Sequence, residues 1–176
     1  LAISPDHVRL SLVVAQARNR GIGFRNGLLF RLRDDMAHFR SITAGKPVVM
    51  GRKTWDSFPK RPLPGRPNLV VTRQTDLMAP GAFVYADLAA AVAAARAMAA
   101  HMGIEEACII GGADIFAATL PAADILWLTE VDAETEADVF FPAIDEQEWR
   151  EASSRRVEKS EANEAAFVIR ELVRRR

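Results

Sequence analysis

The sequence predicts an α/β fold: a mostly parallel sheet with helices on both faces. Three observations carry this. Short apolar runs rich in β-branched residues recur at residues 10–17, 47–50, 68–72, 82–85, 107–110 and 124–129, a pattern that suits strands buried on both faces. Segments with helical periodicity fill several of the gaps between them. No internal repeat or long linker divides the chain, so its 176 residues are expected to form one domain, residues 1–176, with a sizeable core.

The elements follow in order. The first strand, residues 10–17, runs into a loop punctuated by Gly21, Gly23 and Gly27. Residues 33–43 read as a helix: Leu32, Asp35, Met36, Phe39 and Ile42 recur at offsets of three and four and share one face, while Asp34, His38 and Ser41 share the other. His38 therefore reads as solvated, without a catalytic role. The strand at 47–50 leads to a short helix over 54–58. Residues 61–67, Arg-Pro-Leu-Pro-Gly-Arg-Pro, are too rich in turn formers to be anything but a stiff connection. Strands at 68–72 and 82–85 precede an alanine-rich helix over 87–102, capped by Asp87 with Gly103 just past its end. The strand at 107–110 ends in Gly111-Gly112, and Pro121 stops the helix over 113–120. After the strand at 124–129, residues 148–159 and 165–173 read as two long strands joined by a polar turn at 160–164, which adds antiparallel strands at one edge.

Composition narrows the function. Lys+Arg and Asp+Glu are both 23, so the formal net charge is zero, which argues against a protein devoted to nucleic acid. Hydrophobic residues make up 49% and charged residues 26%, the balance of a soluble globular protein. No apolar run approaches the roughly 20 residues of a membrane span and no cleavable signal is visible. The single cysteine, Cys108, lies in the apolar run Ala107-Cys108-Ile109-Ile110 and reads as core filler. A reducing, cytoplasmic setting fits. No metal site is expected.

In open α/β sheets, ligands bind beyond the carboxyl ends of the strands. Two such ends carry glycine here. In Met50-Gly51-Arg52-Lys53-Thr54, Gly51 permits close backbone approach, and the two cations and a hydroxyl suit a phosphate; a capped surface helix with solvated cations is the competing reading. In Ile110-Gly111-Gly112-Ala113-Asp114-Ile115-Phe116, a tight turn and a ligand cradle compete in the same way. Two such ends in one sheet suggest a ligand with more than one phosphate, such as a dinucleotide, although the G-x-G-x-x-G fingerprint is absent. Thr72-Arg73, after the strand at 68–72, offers a further two-pronged phosphate grip. Asp35 is the carboxylate on an apolar face. It is paired internally, protonated or awaiting a ligand. Arg66, held by its proline-rich turn near Leu63, could grip a carboxylate or simply be an exposed loop arginine.

These pieces in this order resemble dihydrofolate reductase. The resemblance covers residues 10–171 and rests on LSLVVAQARNRGIG (10–23), Asp35 with Phe39, VVMGRKTW, RPLPGRPN, IIGG and LWLTEVDAETEADVFFP (126–142). It implies a single-domain, three-layer fold with a mixed eight-stranded sheet, seven strands parallel and the last antiparallel. It implies reduction of 7,8-dihydrofolate to tetrahydrofolate by hydride from NADPH. Asp35 resembles the carboxylate that binds the pterin N3 and 2-amino group, Thr129 its hydroxyl partner, and Leu28 sits in the loop beside the reacting rings. Val13, Val14, Met36, Phe39, Phe58, Leu63 and Ile110 resemble the walls around the substrate, and Arg66 the clamp on its glutamate α-carboxylate. Ala15 and Ile22 resemble the main-chain contacts to the nicotinamide carboxamide. Gly51, Arg52, Lys53 and Thr54 resemble the phosphate side, Thr72 and Arg73 the 2′-phosphate grip. Gly111, Gly112, Ala113, Asp114, Ile115 and Phe116 resemble the second cofactor loop, whose Gly-Gly peptide is cis in the family. The resemblance further implies antifolate inhibitors as ligands and a monomer.

It also implies a mechanism. Asp35 orients and polarises the ring rather than handing over the N5 proton, which a water supplies, and the loop over 18–30 closes on the nicotinamide. The chain departs from the family at Leu29 and Phe30, where most relatives carry proline and tryptophan. It departs again at Asp114, where some carry arginine, and at Phe116, where tyrosine is frequent. Two rivals remain: a same-fold reductase of a riboflavin-pathway pyrimidine, which would not need Asp35 and Arg66 together, and a folate- or nucleotide-binding protein without turnover.

Overall fold

A computed structural model of the chain describes residues 3–74 and 76–176, so Leu1, Ala2 and Thr75 of the expected domain lie outside the described residues. Its centre is an eight-stranded sheet in the order β5-β4-β3-β6-β1-β7-β10-β9. The strands are β1 (Arg9–Gln16), β3 (Val48–Gly51), β4 (Asn68–Val71), β5 (Phe83–Tyr85), β6 (Glu106–Gly111), β7 (Ile125–Val131), β9 (Trp149–Val157) and β10 (Phe167–Arg174). Six of them, β5 to β7 in spatial order, pair in parallel. β10 runs antiparallel to both β7 and β9, so it alone opposes the other seven.

The helices divide between the two faces because alternate strand residues point to opposite sides. Val13, Val48, Met50, Val70, Cys108 and Ile110 pack with Phe39 and Ile42 of α1 (Arg33–Thr43) and Trp55 of α2 (Arg52–Ser57). Leu10, Leu12, Val14, Val49 and Ile109 pack on the other face with Ala91, Ala95 and Ala99 of α3 (Leu88–His101) and Phe116 of α4 (Ala113–Thr119). Alanine at four-residue spacing lets α3 lie close against the sheet. Its amino end is capped by Asp87, whose carboxylate accepts from the Ala89 and Ala90 N–H groups.

The expected elements are present, with informative shifts. α2 begins at Arg52, two residues before the expected start, because Gly51 is extended and acts as its N-cap. α4 gives way to a 3₁₀ turn over Leu120–Ala122, where Pro121 cannot continue an α-helix. The terminal hairpin turns its second strand inward: β10 pairs with β7, and β9 forms the edge. β9 is exposed along most of its length and carries Arg150, Glu151, Arg155 and Arg156, the kind of charged edge that resists pairing with another chain. Two elements escape sequence patterning. The glycine-punctuated loop contains β2 (Gly21–Gly23), which pairs antiparallel with β8 (Val139–Phe140). Strands of three and two residues are too short to show a period. Side chains tie the ribbon down: Asp138 Oδ2 accepts from the Arg25 N–H, and Arg18 pairs with Asp132 at 3.2 Å.

One buried amide fixes the stiff connection before β4. The Asn68 Oδ1 accepts from the Leu63 N–H at 2.9 Å, and its Nδ2 donates to the Leu63 and Arg66 carbonyls at 3.0 and 2.9 Å. Asn68 is 1% exposed, so no water replaces these bonds. Asn68→Ala should therefore cost about 2–4 kcal/mol, the sum expected when buried donors and acceptors lose their partner. Urea unfolding should show a lower midpoint with an unchanged slope.

Candidate functional site

The carboxyl ends of β4, β3, β6, β1 and β7 lie side by side along one edge of the sheet. Most of the sequence-nominated residues fall there. Ala15 is level with Thr129 in the β1–β7 register. Gly51 closes β3 and Gly111 closes β6, two neighbouring strands. Thr72 and Arg73 follow β4, with the Thr72 N–H donating to the Tyr85 carbonyl and the Thr72 hydroxyl accepting from the Gln74 N–H.

The acid sits where α1 crosses this edge. The Thr129 hydroxyl donates to Asp35 Oδ1 at 2.7 Å. Thr129 is 2% exposed and Asp35 is partly buried. Burial pushes the Asp35 carboxyl above the ordinary carboxylate range; the Thr129 bond and, less strongly, the charge of Arg155 pull the other way. Among the described residues no cation forms an ion pair with Asp35. Of the three alternatives for this carboxylate, an internal cation partner is thus not the one adopted.

The helix presents a slightly different face from the one expected. Asp35, Phe39 and Ile42 turn toward the sheet, but so does His38, whereas Met36 is 43% exposed at the rim. His38 is half-buried, its Nε2 is shielded without a protein partner, and its ring meets Trp127 edge-on at a centroid distance of 5.7 Å. The solvated reading of His38 is therefore corrected. The cause is Trp127, a large ring on β7 that fills the space one helical turn along from Asp35. Burial, with Arg155 second, keeps the imidazole below its usual range. Trp127 is itself braced: its Nε1 donates to Glu106 Oε2 at 3.3 Å, which also accepts from the Ser11 hydroxyl at 2.8 Å, and Lys46 lies 3.4 Å from Oε1.

The substrate-side candidates separate by strand alternation. Val13, Ile110, Phe39, Phe58 and Leu63 share the α1/α2 layer. Val14 does not: its side chain packs in the α3/α4 layer with Phe116 and Leu128, because neighbours on a strand point to opposite faces. Arg66 donates from Nη1 to the Thr43 hydroxyl at 2.6 Å and from Nε to the Pro64 carbonyl at 2.9 Å, so it is held rather than loose. Leu28 is 77% exposed on the loop that contains β2. Phe30 packs instead against Leu32, Val131, Ala165, Phe167 and Ile169.

On the other side, the two glycine-bearing turns touch. A Cβ on Gly111 would meet Thr54 Oγ1 at 3.2 Å, and one on Gly51 would meet Ile115 Cδ1 at 3.2 Å. Gly111 has φ +129°, a conformation side chains rarely adopt, and the Gly111–Gly112 peptide is cis, as the resemblance implies. Ile22 and Ile115 pack against the same core cluster as Phe116, which meets Phe141 edge-on at 5.4 Å. Ala113 and the exposed Asp114 open α4. Arg52 pairs with Asp56 at 2.8 Å, while Lys53 is exposed. Glycine cradles bordered by Arg52, Lys53, Thr54 and Arg73 fit a phosphate-bearing dinucleotide. Sequence reasoning misplaced His38 and passed over Glu106, Trp127, Asp56 and Arg155. Asp56 alone had a local signal, its four-residue spacing from Arg52.

Comparison with known proteins agrees with this geometry. The dihydrofolate reductase family model matches residues 9–174. The chain is similar to the dihydrofolate reductase of Neisseria meningitidis serogroup A, 47% identical over 163 residues, covering 92% of this chain and 96% of that protein. The Bacillus subtilis dihydrofolate reductase is 38% identical over 154 residues, 88% of each. Among solved structures, a dihydrofolate reductase from Enterococcus faecalis complexed with NADP(H) and RAB-propyl superposes with a TM-score of 0.86 at 28% identity, covering 100% of both chains. On a family match that spans nearly its whole length and on these relatives, the chain belongs to the dihydrofolate reductase family.

Proposed function

We infer that this chain, an NADPH-dependent reductase of 7,8-dihydrofolate, works through Asp35 and Thr129 at one side of the sheet edge and through Arg52, Lys53, Thr54, Thr72 and Arg73 at the other. The observation that carries the reading is the Asp35 carboxylate: desolvated, raised above its ordinary range and held by Thr129 rather than by an internal cation. Thr129 occupies Oδ1, which leaves Oδ2 and the second lone pair of Oδ1 for the guanidine-like edge of a pterin. That meeting is charge-assisted and strengthens as the edge gains positive character. Bound NADPH supplies the hydride. Asp35 orients and polarises the ring, while solvent delivers the N5 proton. Val13, Phe39, Phe58, Leu63 and Ile110 exclude water from the rings, Met36 and Leu28 close over them from the rim, and Arg66 receives the glutamate α-carboxylate. Thr43 and Pro64 already fix its guanidinium.

On the cofactor side, Gly111 and Gly112 leave room for the backbone to approach the phosphates, and Ala15, Ile22, Ala113, Ile115 and Phe116 surround the nicotinamide end. Asp114 is exposed and adds a negative charge, so the 2′-phosphate preference falls to Arg73 and Arg52. The family resemblance supports a monomeric enzyme whose ligands are small molecules, including antifolate inhibitors, and the formal net charge of zero argues against nucleic acid. No helix among the described residues is long and apolar enough to cross a membrane, and we place the enzyme in the cytoplasm. The decisive assay is NADPH oxidation with dihydrofolate beside the riboflavin-pathway pyrimidine: turnover with the first and none with the second is expected.

Two variants test the residue roles. Asp35→Asn should lose at least about a hundredfold in kcat/KM, about 2.7 kcal/mol of transition-state stabilisation. The same variant should be more stable than the parent near pH 7. A carboxyl raised in the folded state costs stability once ionised; that cost is absent below the unfolded value of 3.8 and complete above the folded one. Thermal melts should show the gain near pH 7 and its disappearance toward about pH 3. Arg73→Ala should narrow the preference for NADPH over NADH in kcat/KM; an unchanged ratio would place the 2′-phosphate elsewhere.

A further inference from the structure

Two arginines beside the phosphate-side turn share one carboxylate. Asp56 Oδ2 lies 2.8 Å from Arg52 Nη1, and Asp56 Oδ1 lies 3.2 Å from Arg61 Nη1. Arg61 is itself anchored: the same Nη1 donates to the Trp55 carbonyl at 3.2 Å, and its guanidinium stands 5.6 Å from the centroid of the Trp55 ring, which is buried in the core. A chain of contacts therefore runs from a core tryptophan through Arg61 and Asp56 to Arg52.

We propose that Asp56 is a positioning residue for cofactor binding, holding the Arg52 guanidinium in place so that its remaining edge meets a phosphate of NADPH. The inference rests on the reading of Arg52 as a phosphate group of the site. A guanidinium has five donors in a rigid fork, and Asp56 engages only Nη1. The Nε and Nη2 edge is left for two parallel bonds to phosphate. An unattached arginine would surrender its side-chain freedom when the phosphate arrived, whereas Arg52 has already lost much of it. An isolated exposed pair would do this poorly. Here Asp56 is gripped from its other side by an arginine fixed to the core, so the carboxylate is a stationary post. An opposite effect competes: a carboxylate near a phosphate repels it. If repulsion dominated, removing the charge would tighten NADPH.

The test is fluorescence titration of NADPH into the parent protein, Asp56→Asn, Asp56→Glu, Arg61→Gln, Arg52→Ala and the Asp56→Asn/Arg52→Ala double variant, with a thermal melt of each. We expect Asp56→Asn to weaken NADPH about threefold to tenfold. Arg61→Gln should act in the same direction through a loosened Asp56, and Asp56→Glu should recover most of the affinity. Arg52→Ala should weaken NADPH at least as much as Asp56→Asn, and the double variant should bind no worse than Arg52→Ala alone, because Asp56 acts only through Arg52. In turnover the loss should sit in KM for NADPH, leaving KM for dihydrofolate in place. Parent-like or tighter binding by Asp56→Asn or Arg61→Gln, with Arg52→Ala weakened, overturns the positioning role alone. Additive losses in the double variant also overturn it. An Arg52→Ala that binds NADPH like the parent overturns the assignment of Arg52 and the role of Asp56 with it.

Discussion

A carboxylate kept away from water governs how this molecule is put together. Asp35 is placed by α1 over the end of β7, where the Thr129 hydroxyl is its protein partner. Desolvation works against its charge more strongly than the Thr129 bond and the charge of Arg155 work for it, and among the described residues no cation forms an ion pair with it. The surrounding structure holds the arrangement anyway. Trp127, two residues before Thr129 on the same strand face, is fixed from below by Glu106, which Ser11 and Lys46 hold in turn. His38 closes against that ring. The floor beneath the acid is thus a satisfied polar network, and the acid above it keeps acceptor capacity beyond its bond to Thr129. Function and stability pull in opposite directions at such a position.

The division of labour along the sheet edge follows from topology. β1 lies between β6 and β7, so Ala15 ends between the glycine pair on one side and Thr129 on the other. Alternation along β1 then sends Val13 into one layer and Val14 into the other. A hydride donor and an acceptor approached from the two sides of this strand would meet at its end. The formal net charge is zero, yet Arg52 and Lys53 follow β3 and Arg73 follows β4, its neighbour in the sheet.

Much of this was legible in the sequence, and the reasons for the remainder are physical. β1, β3, β4 and β6 announce themselves because strands buried on both faces must be apolar throughout. α1 and α3 announce themselves through spacing and, for α3, an aspartate cap. Asp35 stood out as a charge among apolar neighbours. His38 was misread because helical periodicity fixes relative angles, and only the partner across the interface decides where the buried arc is centred; Trp127 widened that arc. The resemblance put Val14 in the substrate wall beside Val13, but neighbours on a strand point to opposite faces and its side chain packs in the other layer. Arg155 reaches the site through the register of a hairpin, and Glu106 through a bond to a strand two places away in the sheet, neither of which leaves a local trace. The β2–β8 ribbon is held by backbone bonds and by Asp138, so its residues needed no hydrophobic period.

The single cysteine of the chain lies at the bottom of the same layer. Cys108 has no exposed surface, receives the Ser11 hydroxyl at 3.4 Å, and burial raises its thiol to about 11. It stays protonated and walled off in the native state, so alkylating reagents in solution have no nucleophile to attack. Modification awaits the moment α1 lifts from the strands beneath it. The rate at which the thiol is captured is then a native-state clock for that opening, built into the molecule without any engineered label.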